Sequence, residues 1–249
     1  TLHLLHLVRP SQWAFVPEMM PAIDDVADRD CNQLVERLTQ SHQLDGIRFR
    51  RWVVQGEVEE VASDFVREQH IDLLIVGTHG RGGLPRLLLG SVAQQIFHYV
   101  TCPVVTVGPR SPGAGEHLQL KRVLFATDLS AESLASVPYL LTAVEEWHAA
   151  LDVVHVCRSR RSDHAALLEE LRGRLENSLD GNAAGPVGSH LMEGKPAASV
   201  IDLAGRQHED LIVLGLKAQR ALYSGPLWSH AYEIVRHAPC PVLSVRAAG

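Results

Sequence analysis

The chain has 249 residues, 46% hydrophobic and 21% charged, which suits a globular protein of one large or two ordinary domains. A formal net charge of −6 argues against nucleic acid or an anionic membrane surface as a general partner. Apolar runs such as 73–76 and 87–89 are too short to span a bilayer, and the four scattered cysteines with no CxxC pair fit buried thiols in a reducing cytoplasm.

In chain order, Leu4-Leu5-His6-Leu7-Val8 reads as a strand. Gly56 precedes a helical stripe of Val58, Val61, Ala62, Phe65 and Val66, which is a core face. Residues 71–77, Ile-Asp-Leu-Leu-Ile-Val-Gly, read as a second strand. Gly77-Thr78-His79-Gly80 follows, then nine residues, then Gly90-Ser91 opening a helix to about Tyr99. Cys102-Pro103 and the apolar run to Val107 close this half, and the Pro/Gly/Ser cluster from Gly108 to Gly115 is a linker. Beyond it, 122–126 is a strand, and Leu134, Val137, Leu141 and Val144 form one helical stripe. A strand over 151–156 comes next, then a helix marked by Leu168, Leu171 and Leu175. Strand 187–192, a helix over 196–207, strand 211–214, and a last helix and strand ending at Val245 complete the chain. Continuous apolar strands joined by crossover helices indicate a parallel sheet covered on both faces.

The chain also repeats itself. Residues 71–77 match Glu209-Asp210-Leu211-Ile212-Val213-Leu214-Gly215, and Cys102-Pro103-Val104-Val105 matches Cys240-Pro241-Val242-Leu243, both at a spacing of 138. Gly56 meets Gly194 at the same spacing, while residues 4–8 resemble 153–157 at 149, so the first half carries extra residues around 11–25. The expected organisation is a first repeat over 1–110, a linker over 111–118 and a second repeat over 119–249. Each repeat is an open Rossmann-like α/β unit with ligands at the carboxyl ends of its strands. The second repeat has a strand–helix unit over 121–149 that the first lacks, so about 30 to 40 residues are expected before Thr1.

The chemical signal is the loop of the first repeat. Gly77 lets the chain leave the strand sharply and a phosphate approach bare backbone. Gly90 and Ser91 open a helix whose free N–H groups and dipole favour an anion, Ser91 can cap that helix, and Arg81 and Arg86 add positive charge. It is not a Walker loop, having no Gly-Lys-Ser/Thr. His79 has no acid or nucleophile partner nearby, and Ser91 stands in no GxSxG elbow. The 14 histidines include no HExxH, and ordinary surface and core roles account for them better than metal.

The G-x-x-G-x9-G-S loop, its preceding strand, the trailing Cys102-Pro103-Val104-Val105 and the segment Val123-Leu124-Phe125-Ala126-Thr127-Asp128-Leu129-Ser130 together resemble the universal stress protein family. The resemblance covers essentially the whole chain as two copies. It implies adenine-nucleotide α-hydrolase-like domains with strand order 3-2-1-4-5, the first lacking its opening strand and helix. It also implies an ATP (or ADP or AMP) site, with Mg2+ as companion ion, made by Leu7 beside adenine and by Val76, Gly77, Gly80, Gly90, Ser91 and Val92 around phosphates and sugar. The matching aspartate of the first repeat would lie before Thr1. In the second repeat Gly80 becomes Ala218 and Gly90 becomes Trp228, so an indole is expected to obstruct that site, leaving Asp128 as a turn or cap residue.

Three functions fit: a nucleotide-binding stress regulator with at most slow hydrolysis, an interaction module that has lost its ligand, and a nucleotidyl-transferase-type enzyme, against which the lack of an acid–base set weighs. In the family order the strands at 104–107 and 242–245 are sheet edges, and they are expected to pair antiparallel within one chain, a homodimer being the other pairing open to them.

Overall fold

The computed structural model describes residues 1–8, 44–78, 90–111, 119–159, 162–179, 185–216 and 226–247, with scattered positions between 29 and 40 and at 181 and 183; the side chains of 162 and 226–229 fall outside it. The extra residues expected around 11–25 also lie outside the described residues. Two compact units form, Thr1–His70 and Ile71–Gly249. Among the described residues no helix is long and apolar enough to cross a membrane.

In the first unit, β1 (Leu2–Val8) and β2 (Phe49–Gln55) pair in parallel from Leu2↔Phe49 to Val8↔Gln55. Gly56 turns the chain into α1 (Val58–Glu68) at φ +154, a conformation that favours glycine. The expected stripe is the buried face: Val58, Ala62, Phe65 and Val66 are covered, and Phe65 meets Trp52 edge-on at 5.4 Å.

The second unit runs β3 (Leu74–Gly77), α2 (Ser91–Tyr99), β4 (Val104–Val107), β5 (Arg122–Thr127), α3 (Ala131–Leu134), α4 (Val137–Trp147), β6 (Ala150–Cys157), α5 (Ser162–Ser178), β7 (Gly188–Glu193), α6 (Pro196–Gln207), β8 (Leu211–Leu216), α7 (Pro226–His237) and β9 (Val242–Arg246). Its seven strands lie in the order β3-β4-β9-β8-β5-β6-β7. The five strands from β5 onward are mutually parallel, and counted within their repeat they stand 3-2-1-4-5 from β7 to β9. The stripe expected as one helix is two, α3 and α4. The chain turns at Ala135 and Ser136, where Ser136 Oγ donates to Ser133 O at 2.8 Å and Pro138, lacking an N–H, opens the next helix.

Alternation along the strands builds two cores. Val123, Phe125, Val153 and Val213 face α4 and α5, packing on Leu140, Val144, Leu171 and Leu175. Leu124, Val154, Ile212 and Leu214 face α6 and α7, with Val200, Leu203, Ile234 and Val235. Ala93 and Phe97 of α2 join this second core, which therefore draws on both repeats.

β4 and β9 pair antiparallel through Val104↔Ser244, Val105↔Leu243 and Thr106↔Val242. Val105 and Leu243 are the same position of the two repeats, so the seam has a local pseudo-twofold axis between them. An arginine at or just past the end of each strand reaches across. Arg246 donates to Phe97 O at 2.7 Å and His98 O at 3.2 Å, and Arg110 donates to His237 O at 3.1 Å. A cation on the carbonyls that end a helix complements its dipole. Three of the histidines also have backbone duties: His70, His148 and His208 take φ of +49, +48 and +54 at or just past helix ends, with His70 and His208 in equivalent positions.

Candidate functional site

At the end of β3, Val76 is half-buried, Gly77 exposed and Thr78 buried. The Thr78 backbone N–H donates to Val107 O at 2.9 Å, and its hydroxyl donates to the same oxygen at 3.3 Å. Gly90 N–H donates back to Thr78 O at 2.8 Å, so the chain returns after residue 89 to the strand end it left. This bond brings Val76 and Gly77 together with Gly90, Ser91 and Val92. Gly90 (φ −57, ψ 145) is the residue before α2 and, having no side chain, gives that helix no side-chain cap of its own. The expectation that Ser91 caps is therefore corrected: bound to Thr78 and extended, Gly90 takes the cap position, and Ser91 is the first helical residue, exposed. Leu7 belongs to the first unit, half-buried on β1 opposite Val54. Gly80, with His79, Arg81 and Arg86, lies outside the described residues.

The second repeat holds a cavity of about 450 Å3 at the carboxyl ends of β5, β6 and β8, where the strand order reverses. Ala126, Val154, Val156 and Leu214 form its floor, and Val200, Ala231 and Ile234 form a wall from α6 and α7. Polar groups gather at the turn after β5. Asp128 Oδ1 accepts from Ser130 N at 3.0 Å and from Ser130 Oγ at 2.5 Å, and Ser130 Oγ caps α3 by accepting from Ser133 N at 3.2 Å. Thr127 Oγ1 accepts from Leu129 N at 2.9 Å and Ser133 Oγ at 3.0 Å, with Leu129 held at φ +63. Buried His155 ties the neighbouring strand to this turn, donating Nδ1–H to Thr127 O at 3.0 Å. Asp128 is thus a turn residue, and it also lines the cavity beside Arg158 and His230.

The expected obstruction by Trp228, and Ala218 with it, lies outside the described residues, although Trp228 is placed as the third residue of α7. The helix starts earlier here than α2 does, so Ser229, equivalent to Ser91, is the fourth helical residue. Gly215, equivalent to Gly77, serves packing. A Cβ on it would lie 2.5 Å from Ser133 Cα and closer still to Ser133 O.

The amino ends of the same strands, with β7 beside them, carry a charge cluster that the reading of the sequence missed. Arg122 Nη2 meets Asp152 Oδ2 at 2.5 Å and Glu209 Oε1 at 3.4 Å, while His190 Nε2 meets Asp152 Oδ1 at 2.9 Å. The Glu209 side chain is fully buried; burial pushes its carboxyl up to about 7, against the pull of Arg122. Cys102, Cys157 and Cys240 are free thiols, and burial pushes Cys102 up to about 11 and Cys240 up to about 12, far from thiolate chemistry.

The family model described as the universal stress protein family matches residues 1–108 and 119–246. A universal stress protein A homolog of Coxiella burnetii is 31% identical over 109 residues, 43% of this chain and 75% of its own. A universal stress protein of Methanocaldococcus jannaschii is 26% identical over 85 residues, 34% of this chain and half of its own length. The crystal structure of a universal stress protein from Archaeoglobus fulgidus shares the fold at 18% identity and a TM-score of 0.75, covering 99% of this chain and 87% of that one.

Proposed function

The chain belongs to the universal stress protein family, as two repeats in tandem, and on that footing we propose that it is an adenine-nucleotide-binding regulator that takes its nucleotide at the first repeat. The observation that carries this proposal is the Gly90 N–H to Thr78 O bond at 2.8 Å. It sets the start of α2 directly beside the end of β3, so a helix N-terminus and a glycine strand end lie together where a phosphate would sit. Gly90 has no side chain to stand in the way; a Cβ there would already press on Thr78 O at 3.2 Å.

ATP is the expected ligand, with ADP and AMP as the alternatives, and Gly77, Gly90, Ser91 and Val92 are assigned to phosphate and sugar. Gly80 and Leu7 complete the set that the family pattern assigns. Cys102 and Cys240 are not poised as nucleophiles, which fits a binding and signalling role with at most slow hydrolysis. Isothermal titration of the full chain with ATP tests this proposal. One site per chain is expected, lost in Gly90→Trp, whereas a folded Gly90→Trp protein that binds ATP undiminished would place the nucleotide elsewhere.

A further inference from the structure

We propose that His155 and His164 form a binding site for a late first-row divalent cation such as Zn2+ or Cu2+, on the face of the sheet turned away from the cavity. The site belongs to the second repeat and is independent of nucleotide binding.

The two rings come from different elements. His155 is on β6, and alternation puts it with Leu151 and Val153 on the face that packs against α4 and α5, whereas Val154 and Val156 floor the cavity. His164 is the third residue of α5. Their ring centroids are 5.0 Å apart, with the planes at 79°. Two imidazoles bound to one tetrahedral ion through nitrogens at about 2.0–2.1 Å have centroids about 5.2 Å apart. The rings are therefore already at the spacing that a shared ion needs.

Their nitrogens are available. His155 is 7% exposed, and its Nδ1–H donates to Thr127 O at 3.0 Å, since a carbonyl can only accept. In the neutral ring Nε2 then carries a lone pair, and Nε2 is buried with no hydrogen-bond partner among the described residues. His164 Nδ1 is buried and unpartnered in the same way. Buried polar atoms are nearly always paired, so two orphans on adjacent rings call for a common partner. The Thr127 carbonyl is also the outer contact that metal-bound histidines ordinarily have, because it fixes the tautomer and the ring orientation.

Donor chemistry selects the ion. Imidazole nitrogen suits Zn2+, Cu2+ and Ni2+, whereas Mg2+ and Ca2+ take oxygen ligands. No third histidine, cysteine, aspartate or glutamate completes a cluster among the described residues, so water fills the remaining positions. An open sphere of that kind makes the ion exchangeable, unlike a structural zinc closed by four protein ligands. Once bound, it would tie the start of α5 to β6 and, through Thr127, to the turn after β5. A search for HExxH could not find this pair, which is split between a strand and a helix.

Isothermal titration of the full chain, free of any histidine tag, with Zn2+ and Cu2+ tests the proposal, with Mg2+ as the control. One site is expected that His164→Ala removes or weakens at least about tenfold, no less than the loss of an outer contact costs. His164 is half-exposed near a helix start, so its replacement should leave the fold intact, which circular dichroism checks. His155→Gln should weaken binding as much, and if that variant fails to fold His164→Ala decides. A Zn2+ isotherm unchanged by His164→Ala would overturn the proposal. So would Mg2+ binding as tightly as Zn2+, or no saturable Zn2+ binding at all, the result that a water bridging the two nitrogens would give.

Discussion

Replacing Gly215 by alanine asks whether a glycine at a strand end is there for a ligand or for a neighbour. An ideal Cβ at Gly215 falls 2.5 Å from Ser133 Cα and 2.6 Å from its carbonyl carbon, where ordinary contacts are about 3.5–4.0 Å. Helix α3 would have to retreat from β8 by about 1 Å. Overpacking of this kind costs about 1–3 kcal/mol. The retreat also loosens the bonds that Ser133 makes to Thr127 (3.0 Å) and Ser130 (3.2 Å), each worth about 0.5–1.5 kcal/mol. A total near 3 kcal/mol follows, lowering Tm by about 6–12 °C for a chain of this size. Urea unfolding followed by circular dichroism measures it, as a shifted midpoint at unchanged slope. A loss below about 0.5 kcal/mol would refute the packing argument, because three backbone atoms of Ser133 would then have yielded at no cost.

Gly90→Ala should behave oppositely, costing less than about 1 kcal/mol of stability because its φ suits any residue, while nucleotide affinity in a titration falls. Ser91→Ala should weaken ATP binding about two- to tenfold by calorimetry, the loss of one hydroxyl contact. Glu209 has its carboxyl raised to about 7 in the folded chain, above the ordinary 4.5, so folding retains a proton that the unfolded chain releases. Its contribution is complete below pH 4.5 and is lost as pH rises through 7; Glu209→Gln should flatten that slope, read as urea midpoints at pH 5 and pH 8. Arg246→Ala should cost about 1.5–3 kcal/mol in urea melts, since it leaves the Phe97 and His98 carbonyls without their cation, and exposed Arg110→Ala should cost clearly less.

The repeat at a spacing of 138 made most of the second unit legible, because duplicated strands such as 71–77 and 209–215 cannot both match by composition alone. Helix 196–207 was readable to the residue, having Gly194 and Pro196 at its start and an apolar stripe within. What escaped was set by contacts between distant residues. The need for glycine at 215 comes from Ser133, 82 positions earlier, and nothing local announces it. The cluster of Arg122, Asp152, His190 and Glu209 joins four separate strand ends; its one signal was Asp152, a carboxylate between Leu151 and Val153 in an otherwise apolar run. The cavity in the second repeat was missed because its lining, with Ala126, Val156, Val200 and Ile234 among it, comes from elements far apart in sequence.

The seam between β4 and β9 has a consequence for how the two halves can change. Two separate copies meeting across a twofold axis would present every substitution twice, so an altered side chain would have to tolerate its own image. In one chain the two faces are encoded independently, and the contact forms at an effective concentration set by the linker instead of by the abundance of the protein. Val104 opposite Ser244 and Thr106 opposite Val242 are the same pair seen from either side, differing only as serine from threonine, while Val105 has become Leu243. Arg246 and Arg110 do the same work from positions 136 apart, two short of the repeat spacing of 138. Duplication has turned a symmetric contact into a private one, in which either strand can change without forcing the same change on the other.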